Sequence, residues 1–155
     1  MVSLIKKYFS YGICTVFGAG YFPFAPGTVT SILTVLLIYF LQADFIILTI
    51  LTAATLFSGI ILSAEIEKYD GTDPRHVVID EVCGQVLTFI GIAQTSWLIF
   101  LAGLVLFRFF DILKPLGINK LQTLRAGWGI MLDDVLAGIY SNLVLHILII
   151  AGIFI

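Results

Sequence analysis

Four stretches of this chain carry no Asp, Glu, Lys or Arg: residues 8–43, 45–64, 82–107 and 135–155. A helix on the surface of a water-soluble domain puts charged or polar residues on one face in every turn or two. A helix in lipid has no such need, and about 20 apolar residues rising about 1.5 Å each cover a hydrocarbon core of about 30 Å. Phe45–Ala64 and Val135–Ile155 are therefore expected to span a bilayer, His146 being the one titratable interruption of the second. Composition agrees: charged residues make up 12% of the chain, about half the share usual in soluble domains, and mean hydropathy is +1.11.

Two further runs need more argument. Gly27–Ala43 is short for a span and follows Pro23 and Pro26, which suit a loop opening a helix. Residues 82–107 exceed one untilted crossing, and Gly91, Gln94, Thr95 and Ser96 interrupt the apolar pattern. One long helix and a shallow or re-entrant helical hairpin both fit that length. A single crossing would split the basic residues evenly across the membrane. A turn near Gln94–Ser96 instead places all eight Lys and Arg on one face, as the positive-inside rule prefers. The expected fold is all-α: one small polytopic membrane bundle over residues 1–155. Its N-terminus and the 65–81 and 108–134 loops would be cytoplasmic, with Asp44 and the C-terminus on the far side. The opening segment has a charged start, but Ser, Tyr, Gly and Thr in its middle make a poor signal-peptide core.

A formal charge of −2 offers no basic surface for a nucleic-acid backbone, so DNA and RNA binding are excluded as functions. Cys14 and Cys83 lie in apolar surroundings without metal-ligand spacing and read as buried small hydrophobes.

Polar groups in so apolar a chain are concentrated in four places. Asp80-Glu81 and Asp133-Asp134 each adjoin a hydrophobic run. Capping accounts for one member of such a pair, but two adjacent like charges beside lipid call for a compensating cation. In Arg108-Phe109-Phe110-Asp111-Ile112-Leu113-Lys114 the charged residues recur every three positions and share a helix face. They form either an interfacial salt-bridge ladder or a phosphate-binding face on which Arg108 makes a bidentate contact and Lys114 adds a point charge. The fourth place is the Pro/Gly loop Tyr21–Ser31, whose backbone N–H groups and hydroxyls could hold an anion at a helix start. Hard oxygen ligands without a His/Cys set point to Mg²⁺. Together these groups suggest a metal-assisted phosphoryl reaction in the headgroup layer.

Four motifs, PGTVTS at Pro26–Ser31, IDEVCG at Ile79–Gly84, FRFFDILKP at Phe107–Pro115 and GIMLDDVLAG at Gly129–Gly138, resemble in sequence, order and spacing those of the phosphatidylglycerophosphatase A family. That resemblance implies a Mg²⁺-dependent enzyme of the bacterial inner membrane. Its reaction would convert phosphatidylglycerophosphate to phosphatidylglycerol and inorganic phosphate, with the site facing the cytoplasm. It further implies that Asp80, Glu81, Asp111, Asp133 and Asp134 serve the metal and that Gly27, Thr28, Arg108 and Lys114 meet the substrate; on chemical grounds either Asp80 or Asp134 is the expected general base. Thr30 stands where the family usually has Gly, Gly117 where Pro is common, and His76 reads as a loop histidine without a counterpart. The rival classes are a metal-dependent headgroup transferase, whose DGxxAR motif is absent, and a non-enzymatic membrane protein.

Overall fold

The computed structural model of the chain describes residues 2–92, 96–124 and 126–153. These form seven α-helices: α1 (Val2–Cys14), α2 (Pro26–Leu41), α3 (Phe45–Asp70), α4 (Ile79–Thr88), α5 (Trp97–Leu113), α6 (Ile118–Leu121) and α7 (Trp128–Ile150). A single 3₁₀ turn, Ala19–Tyr21, links α1 to the loop before α2.

Local chemistry sets the ends. Pro26 occupies the first position of α2, where its missing N–H costs nothing. Asp44 caps α3 by accepting from the Ile47 N–H at 2.9 Å, and Ser96 does the same for α5 through Leu98 N–H at 3.3 Å. α5 stops at Lys114, which turns to φ 45° just before Pro115.

Among the described residues, α3 with 26 residues and α7 with 23 are long and apolar enough to cross a membrane. Both extend beyond the uncharged runs that announced them. α3 continues through Glu65, Glu67 and Lys68, and α7 begins before Asp133-Asp134. Much of their apolar surface points outward, with Phe45, Ile46, Ile50, Phe57, Ile61, Leu143 and Ile147 exposed. A water-soluble bundle would turn such residues inward.

The 82–107 run is not one helix. α4 ends at Thr88 and α5 starts at Trp97, so the break opens earlier than the turn expected near Gln94–Ser96, of which Gln94 and Thr95 lie outside the described residues. Ending a helix inside an apolar bundle strands its last carbonyls. Asn142 of α7 meets that demand, donating through Nδ2 to the carbonyls of Thr88 (3.0 Å) and Ile90 (2.8 Å).

α4 is the hub of the fold, packed against α2, α3, α5 and α7. It crosses α7 with backbone against backbone: a methyl on Gly138 would lie 2.5 Å from the Gly84 carbonyl oxygen, and one on Gly84 would lie 2.5 Å from that of Asp134. The small residues therefore serve contacts within the chain, Gly59 likewise seating Met131 of α7. Above this crossing, Val86, Phe89, Ile99, Phe100 and Leu145 fill one apolar core. Below it, Cys14, Ile60, Ile66, Cys83 and Met131 fill another. Both cysteines are free and buried, and burial pushes the Cys14 thiol up to about 12.

Candidate active site

The Gly84–Gly138 crossing has a direct chemical consequence. Asp80 and Glu81 lie one turn before Gly84, and Asp133 and Asp134 one turn before Gly138. Joining the backbones there brings the two acidic pairs together. Carboxylate oxygens of Asp80, Glu81 and Asp134 all fall within 4.8 Å of one another.

Capping explains neither pair. The N-cap of α4 is Val78, and no side chain caps that helix. Asp133 and Asp134 sit in the second turn of α7, whose N-cap is Gly127. Asp80 Oδ1, Glu81 Oε2 and Asp134 Oδ2 are instead buried without a hydrogen-bond partner. Such atoms cost free energy unless a ligand or ion satisfies them.

α5 supplies the opposing charge. Arg108 Nη1 lies 2.7 Å from Asp111 Oδ2 and 3.8 Å from Glu81 Oε1. Lys114 Nζ lies 4.0 Å from Asp111 Oδ1 and bonds Asp133 Oδ2 across to α7. The i,i+3 ladder read from the sequence thus exists, and it faces the acidic cluster. Arg108 Nε and Nη1 make no aligned hydrogen bond even so, which leaves guanidinium donors for another anion.

These residues line one cavity of about 550 Å³. Asp80, Glu81, Asp111, Asp133, Asp134, Arg108 and Lys114 all border it, together with Pro26 and Gly27 at the start of α2. Gly27 allows a close approach: a methyl there would sit 1.9 Å from Glu81 Oε1 and 3.2 Å from Arg108 Nη1, so that the Glu81 carboxylate would have to move. Thr28 is half-buried and Thr30 fully buried in α2, and neither borders the cavity. Gly117 forms the left-handed cap of α6 at φ 89°, a conformation closed to the Pro common there.

Electrostatics follow from five carboxylates crowded around two cations. Burial raises Asp80 well above the ordinary carboxylate range, with repulsion from Glu81 and Asp134 adding to it. Burial also raises Glu81, against the Asp80 hydrogen bond and Arg108, which favour its charge. For Lys114, burial works against the charge, but Asp133, Asp134 and Asp111 together outweigh it and hold the ammonium above its usual value.

A hard divalent cation fits this donor set. The carboxylate oxygens lie within 4.8 Å of one another, the scale of a hard-cation coordination sphere with oxygens at about 2.1–2.6 Å from the ion, and the orphaned oxygens would gain the partner they lack. Asp80, Glu81 and Asp134 would hold it. Asp111 and Asp133 are engaged by Arg108 and Lys114.

Sequence reasoning passed over the far wall of the cavity. Asp73, Arg75 and His76 of the loop before α4 border it. His76 is indeed a loop histidine, but its ring is stacked between Tyr11 and Tyr21 at centroid distances of 5.6 and 5.4 Å, and its Nε2 lies 3.0 Å from Asp70 Oδ2. The only hint was position, six residues beyond the end of α3 and four before Asp80.

Comparison with known proteins gives the chain its family. Residues 12–149 match the family model for phosphatidylglycerophosphatase A. A Bacteroides thetaiotaomicron protein described as "Putative phosphatidylinositol-3-phosphatase" is 39% identical over 87% of this chain and 90% of its own length. The phosphatidylglycerophosphatase A of Haemophilus influenzae is 40% identical over 83% of this chain and 81% of its own. That of Escherichia coli is 31% identical over 84% and 77%. No solved structure matches. With the four motifs gathered at one cavity and the family match running through all but the chain's ends, this protein belongs to the phosphatidylglycerophosphatase A family.

Proposed function

We propose that the chain hydrolyses the terminal phosphate monoester of phosphatidylglycerophosphate, giving phosphatidylglycerol and inorganic phosphate. In this reading it is a multi-pass protein of the bacterial cytoplasmic membrane with the cavity on the cytoplasmic face. One observation carries the reading. Three buried carboxylates, each with one oxygen that lacks a partner, share a cavity with an arginine whose Nε makes no hydrogen bond, which is an arrangement for a divalent cation and a phosphate together. Every charged residue but Asp44 lies in the N-terminal segment or in residues 65–81 and 108–134, consistent with one polar face that carries every Lys and Arg.

Arg108 and Lys114 would bind non-bridging phosphate oxygens, with Asp111 and Asp133 holding the two cations in place. A Mg²⁺ ion held by Asp80, Glu81 and Asp134 would supply Lewis-acid polarisation of the phosphate and of water. Water attacks phosphorus in line, a P–O bond to water forms, and the P–O bond to the glycerol oxygen breaks. A carboxylate of Asp80 or Asp134 takes the proton lost by the water and passes it to the departing glycerol oxygen, which leaves as the alcohol and restores the carboxylate. Pro26 and Gly27 close the wall beside Glu81.

Phosphate release from phosphatidylglycerophosphate in mixed micelles tests this. We expect release with Mg²⁺, none with EDTA, and none from a folded Asp134→Asn variant. Arg108→Lys, which gives up bidentate geometry, should lower kcat/KM by about tenfold or more. The Bacteroides thetaiotaomicron relative makes phosphatidylinositol 3-phosphate the comparison substrate. Both lipids present a phosphate monoester, and faster release from the inositol lipid would transfer the proposal to that headgroup. Release unaffected by Asp134→Asn would overturn the site.

A further inference from the structure

A second, wholly different cavity opens on the outside of the bundle between α2 and α5. It is about 260 Å³ in volume and apolar. Ile32, Leu36 and Tyr39 of α2 face Trp97, Leu101 and Leu104 of α5 across it. Val35 and Phe100, both buried, form its floor. The Tyr39 and Phe100 rings meet edge to face at 5.3 Å, closing the end of the groove far from the active site.

Its two walls are the helices that frame the phosphate site. α2 starts at Pro26 and Gly27 on the polar cavity, and α5 delivers Arg108 and Asp111 to the same cavity. The groove thus begins about a turn beyond the site and runs away from it. From Gly27 to Tyr39 α2 rises about 18 Å, and from Arg108 back to Trp97 α5 rises about 16 Å. One leaflet of the hydrocarbon core is about 15 Å deep. The groove itself, from Ile32 to Tyr39 against Trp97 to Leu104, is about 10 Å long. Beginning about a turn beyond the phosphate site and ending near the depth of one leaflet, it is placed to take a stretch of a lipid chain whose headgroup sits at that site.

We infer that the α2–α5 groove binds an acyl chain of the substrate lipid, and so fixes the phosphate headgroup over the acidic cluster. The inference rests on the proposed lipid phosphatase reading and extends it to the apolar end of the substrate. The exposed leucines Leu36 and Leu101 would contact the chain, while Tyr39 and Trp97 limit how deep it reaches. Burying several methylenes, each contributing about 0.8 kcal/mol, would add affinity that a short-chain substrate cannot obtain.

Two measurements test the inference. In the first, Leu36→Trp and Leu101→Trp fill the groove from the lipid side. Leu143→Trp, on the outward face of α7, is the control. With dipalmitoyl phosphatidylglycerophosphate the groove variants should raise KM about tenfold and leave kcat nearly unchanged. With the water-soluble dibutanoyl analogue neither constant should move, and Leu143→Trp should match the wild type on both. Equal effects on both substrates, or no effect on either, would overturn the inference in favour of a surface covered by bulk lipid.

The second measurement does not depend on turnover. Phosphatidylglycerophosphate with a photoreactive diazirine in one acyl chain is irradiated with the protein in EDTA-containing micelles, and the adducts are mapped by mass spectrometry. Adducts should concentrate on α2 and α5 at the groove and be displaced by unlabelled phosphatidylglycerophosphate but not by phosphatidylcholine. Adducts spread evenly over α3 and α7 would refute the groove. Absence of phosphate release by the wild type would refute the reaction alone, because the adduct map reads the groove separately.

Discussion

Glu65 and the Asp80/Glu81/Asp134 cluster are both acidic and both near the same end of the bundle, yet they are treated in opposite ways. Glu65, near the end of α3, is held by Lys6 of α1 at 3.0 Å and by Lys68 at 2.8 Å. The cluster has three carboxylates packed together, and each keeps a buried oxygen without a partner. Where a carboxylate ties helices together, the fold gives it cations of its own. Where the fold has crowded carboxylates and left an oxygen of each without a partner, it has spent stability that a bound ligand would return. On the proposed function, the contrast separates groups that build the bundle from groups that work in it.

The sharpest way to break that comparison is Asp80→Asn. We expect phosphate release to fall about 10³-fold or more while the metal-free protein melts no lower than the wild type. The sign follows from the raised pKa. A carboxyl that titrates higher in the folded state than in the unfolded state costs stability once pH passes its unfolded value, and Asn carries no such charge. Melting curves in EDTA and in Mg²⁺ check both parts. Mg²⁺ should raise the melting temperature of the wild type and not of the variant. A variant that is inactive because it melts much lower would make Asp80 a structural residue like Glu65.

Next in size is Gly27→Ala, which adds no charge and removes none. Its methyl must displace Glu81 Oε1 or push the start of α2 outward, and an error of about 1 Å at a reacting centre costs about 10²-fold. Activity should fall by that order with little change in melting temperature. Wild-type activity would mean that the α2 wall has slack and that the cluster alone positions the phosphate.

Much of this contrast was legible in the sequence, and its limits are physical. The charge-free runs located α3 and α7 because bilayer thickness sets a minimum apolar length, whereas the start of α2 was marked by Pro26. The acidic pairs and the Arg108–Lys114 ladder stood out because charges are rare in such a chain. Helix starts were less legible: Asp133-Asp134 looked like the opening of a helix, yet α7 begins at Trp128 because Gly127, at φ 75°, turns the chain there and its N–H is held by Glu67 Oε2 at 2.9 Å. The convergence of the two pairs depends on the Gly84–Gly138 contact, and no spacing rule says which glycines in a bundle will touch. Asn142 carries no motif or spacing signal, although it holds the end of α4. The His76 wall was least legible of all, because its place in the cavity comes from stacking against two tyrosines distant in the chain.

The pH dependence of cation binding gives a smaller but more discriminating effect. Asp80 and Glu81 titrate above the ordinary carboxylate range without a cation, so Mg²⁺ must displace protons to bind. Its affinity should rise with pH, by up to about tenfold per unit for each proton released, and level off once both carboxyls are ionised. Calorimetry in two buffers of different ionisation enthalpy counts the protons directly. Glu65→Gln should leave both affinity and proton count unchanged, and phosphate release with them, because its partners lie on α1 and α3 outside the cavity. A shift in proton count in that variant would mean that the two sets of carboxylates are coupled through α3, and that the division between building and working charges does not hold.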